Sequence, residues 1–500
     1  MRDVQALGEV VEVVGVDRQL ERLVAVAQVR AAFSPNIKER RDCSTAIFDR
    51  AGRMVAQAEH IPVHLGAMPD AVAAVLDCDP GPDDVWILND PYAGGTHLPD
   101  LTIVTRTPVG FAASRAHHAD VGGAEPGSLP AGSRRLDEEG VVIPPTRLDD
   151  ETLEALVARM RDPDERRGDL RAQLAANRLA GRRLAELCER RGRERVEAAM
   201  GELVDYSERR VRAAVRALPD GRWEATEELE SPGGPLRLHV AVTVAGDAVE
   251  ADFAGTDPQH DGNLNCPRSV TRSACAFVLR CLTDPDVPAS AGALAPLTVR
   301  APVGCLVNAE PPAAVAAGNV ETSSRLVDLL FAAFGQAIPV PAQGQGTMNN
   351  VVLGGEGWTY YETIGGGQGA CPDADGPSAV HVAMSNTLTT PTEALELALP
   401  LRVERHELRL GSGGAGRHRG GDGVVRELRV LAPARLSVLA QRRAAGPRGA
   451  AGGEDGAPGR TLVNGEELPA SASRDLEPGD VLRVETPGGG GHGAADQPSR

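Results

Sequence analysis

Glycine and proline interrupt most of this chain but largely spare one block of it. The 57 glycines and 37 prolines make up nearly a fifth of the 500 residues, and a backbone with so many breakers favours turns and long ordered loops. Between residues 150 and 218 the pattern changes, because Ala, Leu, Arg and Glu dominate and glycine is scarce. The distribution therefore predicts a helical insert in a fold otherwise built from short elements and loops.

The apolar runs predict an α+β fold with mixed sheets. Runs such as 85–88 and 101–104 alternate with turns and indicate strands, whereas the apolar stripe over 270–282 has helical spacing. We expect five regions along the chain: an N-terminal α/β region with the metal site (1–149), a helical insert (150–218), a central α/β region (219–395), a β-rich C-terminal module (396–493) and a disordered tail (494–500).

The composition argues against several classes of function. A net charge of −18 repels nucleic acid and anionic membrane surfaces. The sequence contains no run of about 18 apolar residues that could span a bilayer. Its first residues lack the basic and then apolar pattern of a secretory signal. The eight cysteines are scattered without a Cys-x-x-Cys pair, so we expect reduced thiols and a cytoplasmic location.

Two short blocks, 89–100 and 117–123, concentrate histidine and aspartate. Glycine and proline flank these residues, which places them at turns. Imidazole and carboxylate are the ligands that hard and borderline divalent metals prefer. Ligand type and the His-x-x-Asp spacing predict zinc or manganese held by His97, Asp100 and either His117 or His118. A surface loop with solvated acids and a helper histidine is the alternative, since no His-Glu-x-x-His signature occurs.

No segment of the sequence has the features of an ATP site. The run Gly411 to Gly416 fits the pattern Gly-x-Gly-x-x-Gly, but more glycine and then a strand follow it, where a nucleotide site needs a helix. A phosphate-binding loop of the type Gly-x-x-x-x-Gly-Lys-Ser/Thr is absent, and Lys38 is the only lysine. We therefore predict that this chain has no ATP site of its own and does not hydrolyse ATP alone.

Other polar residues are candidates for substrate binding. Thr347, Asn349 and Asn350 could hydrogen-bond the edge of an imide or lactam. Gly366 lies in a run of glycines that could bring backbone amides to a substrate oxyanion, or could mark a close crossing of two backbone segments. Arg41 could clamp a substrate carboxylate or pair with an internal acid.

Longer blocks of the sequence resemble the hydantoinase B/oxoprolinase family. They occur in the same order as in the family and extend over nearly the whole chain. The blocks are Ser34 to Ser44, Ala58 to Gly66, Asn89 to Asp100, Arg115 to Gly123, Gly318 to Thr322, Gln345 to Asn350, Tyr361 to Gly367, Gly411 to Gly423 and Thr486 to Gly491. Because the blocks are long and specific, the probability that this similarity arises by chance is very small.

The resemblance implies the B subunit of an ATP-dependent hydrolase that opens 5-oxoproline or (N-methyl)hydantoin rings. In such enzymes a partner, the hydantoinase A/oxoprolinase-type ATPase subunit, phosphorylates the amide oxygen. The B subunit then completes ring opening with a metal-held water or an acid/base pair, so we expect a hetero-oligomer. His97, Asp100 and one of His117 and His118 match the family's metal-binding pattern. The carboxylates Asp42, Asp120 and Glu362 are the catalytic candidates, and Asp120 could instead be a fourth or outer ligand.

Other functional classes stay open. The chain could be an alpha-type subunit of an acetone-carboxylase-like carboxylase, a metal hydrolase that acts alone, or a non-catalytic scaffold of the complex. It also departs from the family pattern, because Cys371 stands where arginine is usual and Leu388-Thr389 replaces a usual Arg-Asn pair. These changes lie near possible substrate contacts and leave the choice of cyclic amide undetermined.

Overall fold

The computed structural model describes residues 22–495. The first 21 residues of the predicted N-terminal region and most of the predicted tail lie outside this range. The described helices are α1 (22–31), α2 (Pro35–Lys38), α3 (Ala67–Leu76), α4 (Asp150–Val157), α5 (Pro163–Arg191), α6 (Arg193–Val215), α7 (Arg268–Leu282), α8 (Ala291–Leu294), α9 (Ser323–Phe334) and α10 (Thr392–Ala398). A π-helical turn, Gly318–Thr322, leads into α9.

Nineteen strands are described between these helices. They are β1 (Cys43–Asp49), β2 (Met54–Glu59), β3 (Val85–Leu88), β4 (Asp100–Thr107), β5 (Gly110–His117), β6 (Thr146–Arg147), β7 (Gly221–Leu229), β8 (Leu236–Ala245), β9 (Ala248–Asp252), β10 (Leu297–Arg300), β11 (Asn350–Gly355), β12 (Trp358–Glu362), β13 (Leu401–Arg409), β14 (Gly423–Val430), β15 (Ala434–Leu439), β16 (Arg460–Val463), β17 (Glu466–Glu467), β18 (Ser471–Leu476) and β19 (Val481–Glu485).

The strands form four sheets, and the predicted α+β class is confirmed. The orders are β2-β1-β5-β4-β3-β6, β10-β9-β8-β7, β12-β11-β15-β18 and β13-β14-β19-β16-β17. The second sheet is mixed, since β9 and β10 run parallel. The long helices α5 and α6 occupy the block in which glycine is scarce, where a helical insert was expected.

One apolar core joins parts of the chain that are far apart in sequence. It contains Ile61 and Leu129, Val242 and Val327, and Leu439 from β15. The core therefore draws on the N-terminal, central and C-terminal regions together, and the division of the chain into regions stays a prediction. All eight cysteines are free thiols. Among the described helices, none is both long and apolar enough to cross a membrane.

The C-terminal part contains a bundle of extended, glycine-rich segments, here called the glycine bundle and formed by 365–376, 411–423, 444–459 and 486–493. Its central segment, 486–493, hydrogen-bonds to its neighbours through the backbone. Gly489 N donates to Gly421 O over 2.9 Å, and Gly491 N donates to Glu454 O over 2.9 Å. A Cβ on Gly489 would overlap the carbonyl oxygen of Gln368. Glycine is required here because the segments pack backbone against backbone.

The β4–β5 hairpin positions the histidines and aspartates that the sequence singled out. Asp100 opens β4, His117 ends β5, and the two residues are directly opposite each other in the antiparallel register. On one face of this hairpin lies α5, whose Gln173 and Asn177 side-chain amides donate to backbone carbonyls of both strands. The other face packs on α3. At the end of the hairpin, His97 lies beside Asn319 of the π-helical turn and His117 lies beside Tyr361 of β12, and the candidate site lies there.

Candidate metal centre

Three side chains converge at the end of the β4–β5 hairpin. His97 lies in the turn before β4, and its carbonyl accepts from Asp100 N over 3.1 Å. His97 Nε2 is 3.0 Å from His117 Nδ1 and 3.8 Å from Asp100 Oδ1, and the distance from His117 Nδ1 to Asp100 Oδ1 is 3.4 Å. Each residue offers one ligand atom to a group in which all the atoms lie within 4.8 Å of one another. The turn before β4 and the β4–β5 register thus direct three potential metal-ligand atoms at one point.

These donors face a small buried cavity, here called the inner cavity, of about 20 Å³. The three residues that converge are all at most 2% exposed. A space of this size accommodates about one water or ion. Asp42, His64, Asn319, Tyr361 and Thr387 also line it, together with apolar side chains.

The charge states suit a cation. Burial lowers the pKa of His97 to about 3, so its imidazole is neutral at physiological pH. Burial alone would raise the pKa of the Asp100 carboxyl, yet His97, His117 and His64 hold that pKa well below its usual range. Neutral imidazole and ionised carboxylate are the forms that bind a metal, and the set of two nitrogens and one oxygen is compatible with zinc or manganese.

The Asn319 amide lies beside Nδ1 of His97, the ring nitrogen that does not face His117 and Asp100. Its Nδ2 is placed beside His97 Nδ1, whereas its Oδ1 has no hydrogen-bond partner among the described groups. Because the two ends of an amide are assigned from the hydrogen-bond network, exchanging them gives Oδ1 a partner and lets His97 donate through Nδ1. His97 Nε2 then presents its lone pair to the cavity. The unpaired Asn319 Oδ1 is therefore consistent with a His97 that binds a metal through Nε2.

Further side chains hold Asp100 and His117 in place. Asp100 Oδ2 accepts a hydrogen bond from the Thr96 hydroxyl and lies 3.4 Å from His64 Nε2. The Tyr361 ring stacks on the His117 ring with centroids 4.4 Å apart and planes 16° apart. The Tyr361 hydroxyl donates to Asn350 Oδ1 over 2.9 Å, so β11 and β12 fix the imidazole orientation.

Of the three predicted catalytic carboxylates, only Asp42 lines the inner cavity. It precedes β1, the neighbour of β5, and its backbone oxygen accepts from His117 N over 3.0 Å. Burial raises the pKa of Asp42, while the neighbouring His117 lowers it in part. Asp42 is thus placed where a proton could be taken up or released beside the three donors.

Asp120 and Glu362 lie elsewhere. Asp120 accepts from Gly127 N over 2.7 Å and from Arg161 Nη1 over 3.0 and 3.1 Å, so loop amides and a guanidinium occupy its oxygens. Glu362 follows Tyr361 on β12 and points to the opposite face, where Arg426 Nε donates to it over 3.2 Å. The structure does not bring either carboxylate to the inner cavity.

The structure also separates the two adjacent histidines. His117 faces the cavity, whereas His118 points to the other side of the hairpin, where its Nε2 lies 2.9 Å from Gln173 Oε1. Neighbouring residues at a strand end point in opposite directions, so His118 is not part of the group that converges. Burial lowers the pKa of His118 to about 4.

The predicted substrate-binding residues lie behind the cavity or outside it. Arg41 is exposed with a φ of 57°. Asn350 reaches the site only through Tyr361, and Thr347 accepts from Gln441 N over 3.1 Å. Asn349 Oδ1 accepts from Arg443 Nη2 over 3.0 Å.

Gly366 lies in the glycine bundle, where its backbone N–H donates to Val380 O over 2.9 Å. This hydrogen bond and the close packing around Gly366 fit the backbone-crossing interpretation of the sequence. Its role in substrate binding stays a prediction.

Four residues around the cavity are not among the predicted site residues, although either His60 or His64 could have joined the metal shell: His64, Asn319, Tyr361 and Arg40. The fully buried Arg40, rather than Arg41, reaches the site region. Its guanidinium donates to Tyr361 O and to Thr363 Oγ1, each over 2.6 Å. All four lie in blocks that carry the family resemblance, so block membership was the available signal, and their contacts depend on long-range packing.

Comparison with known proteins defines the family. The profile of the hydantoinase B/oxoprolinase family matches residues 19–495, and the chain belongs to this family. An uncharacterized protein of Methanocaldococcus jannaschii is 39% identical, with 93% of this chain and 86% of that protein covered. The B subunit of a putative D-/L-hydantoinase from a Pseudomonas species is 30% identical, with 93% and 86% covered.

The chain also matches part of longer enzymes. It is 38% identical to 5-oxoprolinase 1 of Arabidopsis thaliana, with 93% of this chain covered, but it spans only 40% of that protein's length. Among solved structures, an ATP-dependent caprolactamase from Pseudomonas jessenii superposes with a TM-score of 0.90 and 27% identity, covering 97% of this chain and 91% of that one. Acetone carboxylase shares the fold, with a TM-score of 0.86 at 18% identity and coverage of 96% and 75%.

Proposed function

We propose that this chain is the B subunit of an ATP-dependent hydrolase that opens cyclic amides such as 5-oxoproline or hydantoins. The observation that carries the proposal is the convergence of His97, Asp100 and His117 on a buried cavity that Asp42 also lines. A relative named as the B subunit of a hydantoinase, relatives named 5-oxoprolinases and a structural neighbour described as a caprolactamase support the choice of substrate class.

His97, Asp100 and His117 would hold a divalent metal, zinc or manganese. When bound, such an ion supplies Lewis-acid polarisation of an oxygen and a lower pKa for a water. Asp42 would act at its carboxylate as the proton acceptor and then as the donor to the leaving nitrogen. Ile61, Val63 and Met348 would exclude bulk water, which preserves an activated amide from side reactions.

The ATP step would belong to a hydantoinase A/oxoprolinase-type partner. The partner would phosphorylate the amide oxygen. On this chain, water would add to the ring carbon and the ring nitrogen would leave, and hydrolysis of the resulting acyl phosphate would release inorganic phosphate and the carboxylate. Handing over a labile intermediate requires a sealed interface, which we expect to bury well above about 2,000 Å² in total. A closed dimer of heterodimers is the simplest assembly, since soluble oligomers favour two-fold symmetry.

The test is co-expression with an A-type ATPase subunit. We expect a complex by light scattering, and ring opening of a hydantoin or 5-oxoproline that needs both chains and ATP and is lost in EDTA. The isolated chain should turn over neither ATP nor amide. Asp42→Asn should keep the metal and lose turnover, whereas Glu356→Asn, an exposed change between β11 and β12, should alter neither.

Other outcomes would point to the alternative classes. Amide hydrolysis by the chain alone, without ATP, would indicate a metal hydrolase that acts by itself. Bicarbonate-dependent consumption of a ketone would indicate a carboxylase subunit. A stable complex with less than about a tenth of an equivalent of metal would indicate a scaffold.

A further inference from the structure

A second and larger cavity, here called the outer cavity, adjoins the inner one. Its volume is about 550 Å³, within the range of about 300–1,000 Å³ that small-molecule sites occupy. Ser385 lines both cavities, and Pro62 of the outer cavity stands between Ile61 and Val63 of the inner one. The two spaces therefore share a wall, and none of the residues predicted from sequence to bind substrate lines the larger one.

A short hydrogen-bonded chain forms part of that wall. Ser385 Oγ is 2.7 Å from His381 Nδ1, and His381 Nε2 is 3.2 Å from Thr387 Oγ1. His381 belongs to the outer cavity and Thr387 to the inner one. Ser385 and His381 thus offer polar groups to a ligand where the wall leads toward the inner cavity. Asp328, Gln368 and Asn386 line the outer cavity as well.

The remainder of the outer cavity is mostly apolar. Phe277, Leu282, Val327, Phe331 and Val382 contribute side chains from α7, α9 and the segment before α10. An apolar body with a few convergent polar groups at one end is the usual form of a small-molecule site. Among the polar groups that line the outer cavity, Ser385 also lines the inner cavity. A ligand that reaches the inner cavity would therefore place its polar atoms at the Ser385 edge.

The charge of the outer cavity is unsuited to an anion. No arginine or lysine is among the described residues that line it. Asp328 does line it, and this carboxylate is paired with Arg442 Nη2 over 2.6 Å. His381 offers no charge, since burial lowers its pKa to about 3. A substrate carboxylate placed there would lose its hydration without gaining a cationic partner.

We propose that the outer cavity binds the apolar substituent of an uncharged cyclic amide, with the ring carbonyl held at Ser385 toward the inner cavity. The chain would then prefer substituted hydantoins or lactams to 5-oxoproline, which carries a carboxylate and is too small to fill the space. The binding preference stands on the cavity itself. Only the statement that the bound amide is a substrate rests on the proposed function.

Calorimetry on the isolated chain tests this with 5-benzylhydantoin and 5-oxoproline as probes. We expect 5-benzylhydantoin to bind at least tenfold more tightly. Cys281 also lines the outer cavity, so Cys281→Trp should fill it and raise the Kd for 5-benzylhydantoin at least tenfold. Cys78→Trp is the matched control, because Cys78 is exposed like Cys281 but follows α3 and does not line the outer cavity, and the Kd should not change.

A second measurement needs no variant. 5-Benzylhydantoin should slow the alkylation of Cys281 by a thiol reagent and leave that of Cys78 unchanged, as read by peptide mass spectrometry. Tighter binding of 5-oxoproline, no binding of either probe, or an unaltered Kd in folded Cys281→Trp together with unprotected Cys281 would each overturn the inference.

Turnover by the complex with the ATPase subunit separates this inference from the proposed function. If both amides are opened but 5-oxoproline is preferred, the inference fails and the proposed function stands. If 5-benzylhydantoin binds at Cys281 and neither amide is opened with ATP, the proposed function fails and the outer cavity remains a binding site for uncharged apolar ligands.

Discussion

The inner cavity and the glycine bundle are both built from motifs rich in short turns, yet they use the chain in opposite ways. In the inner cavity, side chains converge, and two imidazoles and a carboxylate are buried within 3.8 Å of one another. In the glycine bundle, the glycine positions carry no side chain, and backbone segments pack directly on each other there. The inner cavity gathers buried polar groups that can bind a ligand, at a cost in stability. The glycine bundle contributes backbone packing and backbone hydrogen bonds.

This difference predicts which property of the protein a mutation in each region should change. Removing a side chain from the inner cavity should mainly affect ligand binding, because the fold around it is fixed by β4, β5 and their neighbours. Adding a single methyl group to the glycine bundle should mainly affect folding. The four predictions below separate these two kinds of effect, and they run from the largest expected change to the smallest.

The largest effect is expected for Gly489→Ala. The new methyl group would overlap the Gln368 carbonyl, and backbone cannot move aside as a flexible side chain can, so we expect a loss above about 3 kcal/mol in the free energy of unfolding, or no folding. Gly181→Ala on α5, where nothing lies within 4 Å, should instead stabilise by about 0.5–1 kcal/mol. Chemical denaturation measures both. Equal and small effects would show that the bundle is loosely packed.

The next effect is expected for His97→Ala in the inner cavity. Bound zinc or manganese, measured by elemental analysis of protein purified without chelator, should fall below about a tenth of an equivalent, since two donors hold such ions poorly. The cost in unfolding free energy should stay within about 1–3 kcal/mol. His118→Gln is the control on the other face of the hairpin and should keep the metal. Loss of metal in His118→Gln with retention in His97→Ala would reverse our assignment of the ligands.

A third and smaller effect concerns the orientation of the His97 ring. Asn319→Ala leaves all three donors in place but removes the amide beside His97 Nδ1. Metal affinity should fall about 10–100-fold, as is usual when such a partner is lost. Nitrogen-15 NMR of the imidazole should show His97 protonated at Nδ1 in the native protein and a mixture of tautomers in the variant. An unchanged affinity and an unchanged tautomer would exclude this role for Asn319.

The sequence was most informative where chemistry is carried by residues close together in the chain. His97 and Asp100 are three apart, so their shared turn could be inferred from spacing, and the α+β class followed from the alternation of short runs. The choice between His117 and His118 depended on the phase of β5, which a one-residue shift would reverse. Ligand type alone could not supply that phase.

The sequence was least informative where contacts join distant segments. Asn319 meets His97 across 222 residues of chain, and Tyr361 stacks on His117 from another sheet. Asp120 and Glu362 have the residue type of catalytic acids, but Arg161 and Arg426 occupy their oxygens. Residue type indicates what a side chain can do, and only packing decides which partner it meets.

The smallest effect is expected at Glu321, which joins the π-helical turn beside the inner cavity to the start of β11. It lies on the π-helical turn with Asn319, and its Oε1 accepts from Met348 N over 3.1 Å and from Asn350 Nδ2 over 3.0 Å. Burial raises the pKa of Glu321 from 4.5 to about 7. Between these two values the native state keeps a proton that the unfolded state releases, so the contribution of this group to stability falls as pH rises through that window and is lost above it.

Glu321→Gln keeps the accepting oxygen and removes the charge. At pH 8 we expect the variant to exceed the native protein in unfolding free energy by about 1–2 kcal/mol, since a full shift of this size would correspond to about 3 kcal/mol and the new amide nitrogen offsets part of it. At pH 4 the native protein should be the more stable by about 1–2 kcal/mol, because Glu321 is then largely protonated in both states and only the cost of the new amide nitrogen remains. Glu356→Gln on the exposed turn between β11 and β12 is the control and should show no pH-dependent difference. Denaturant titrations at both pH values measure the difference. A variant less stable than the native protein at pH 8 would mean that ionised Glu321 supports the contact between the π-helical turn and the start of β11, and that charge, rather than neutral hydrogen bonding, stabilises this junction.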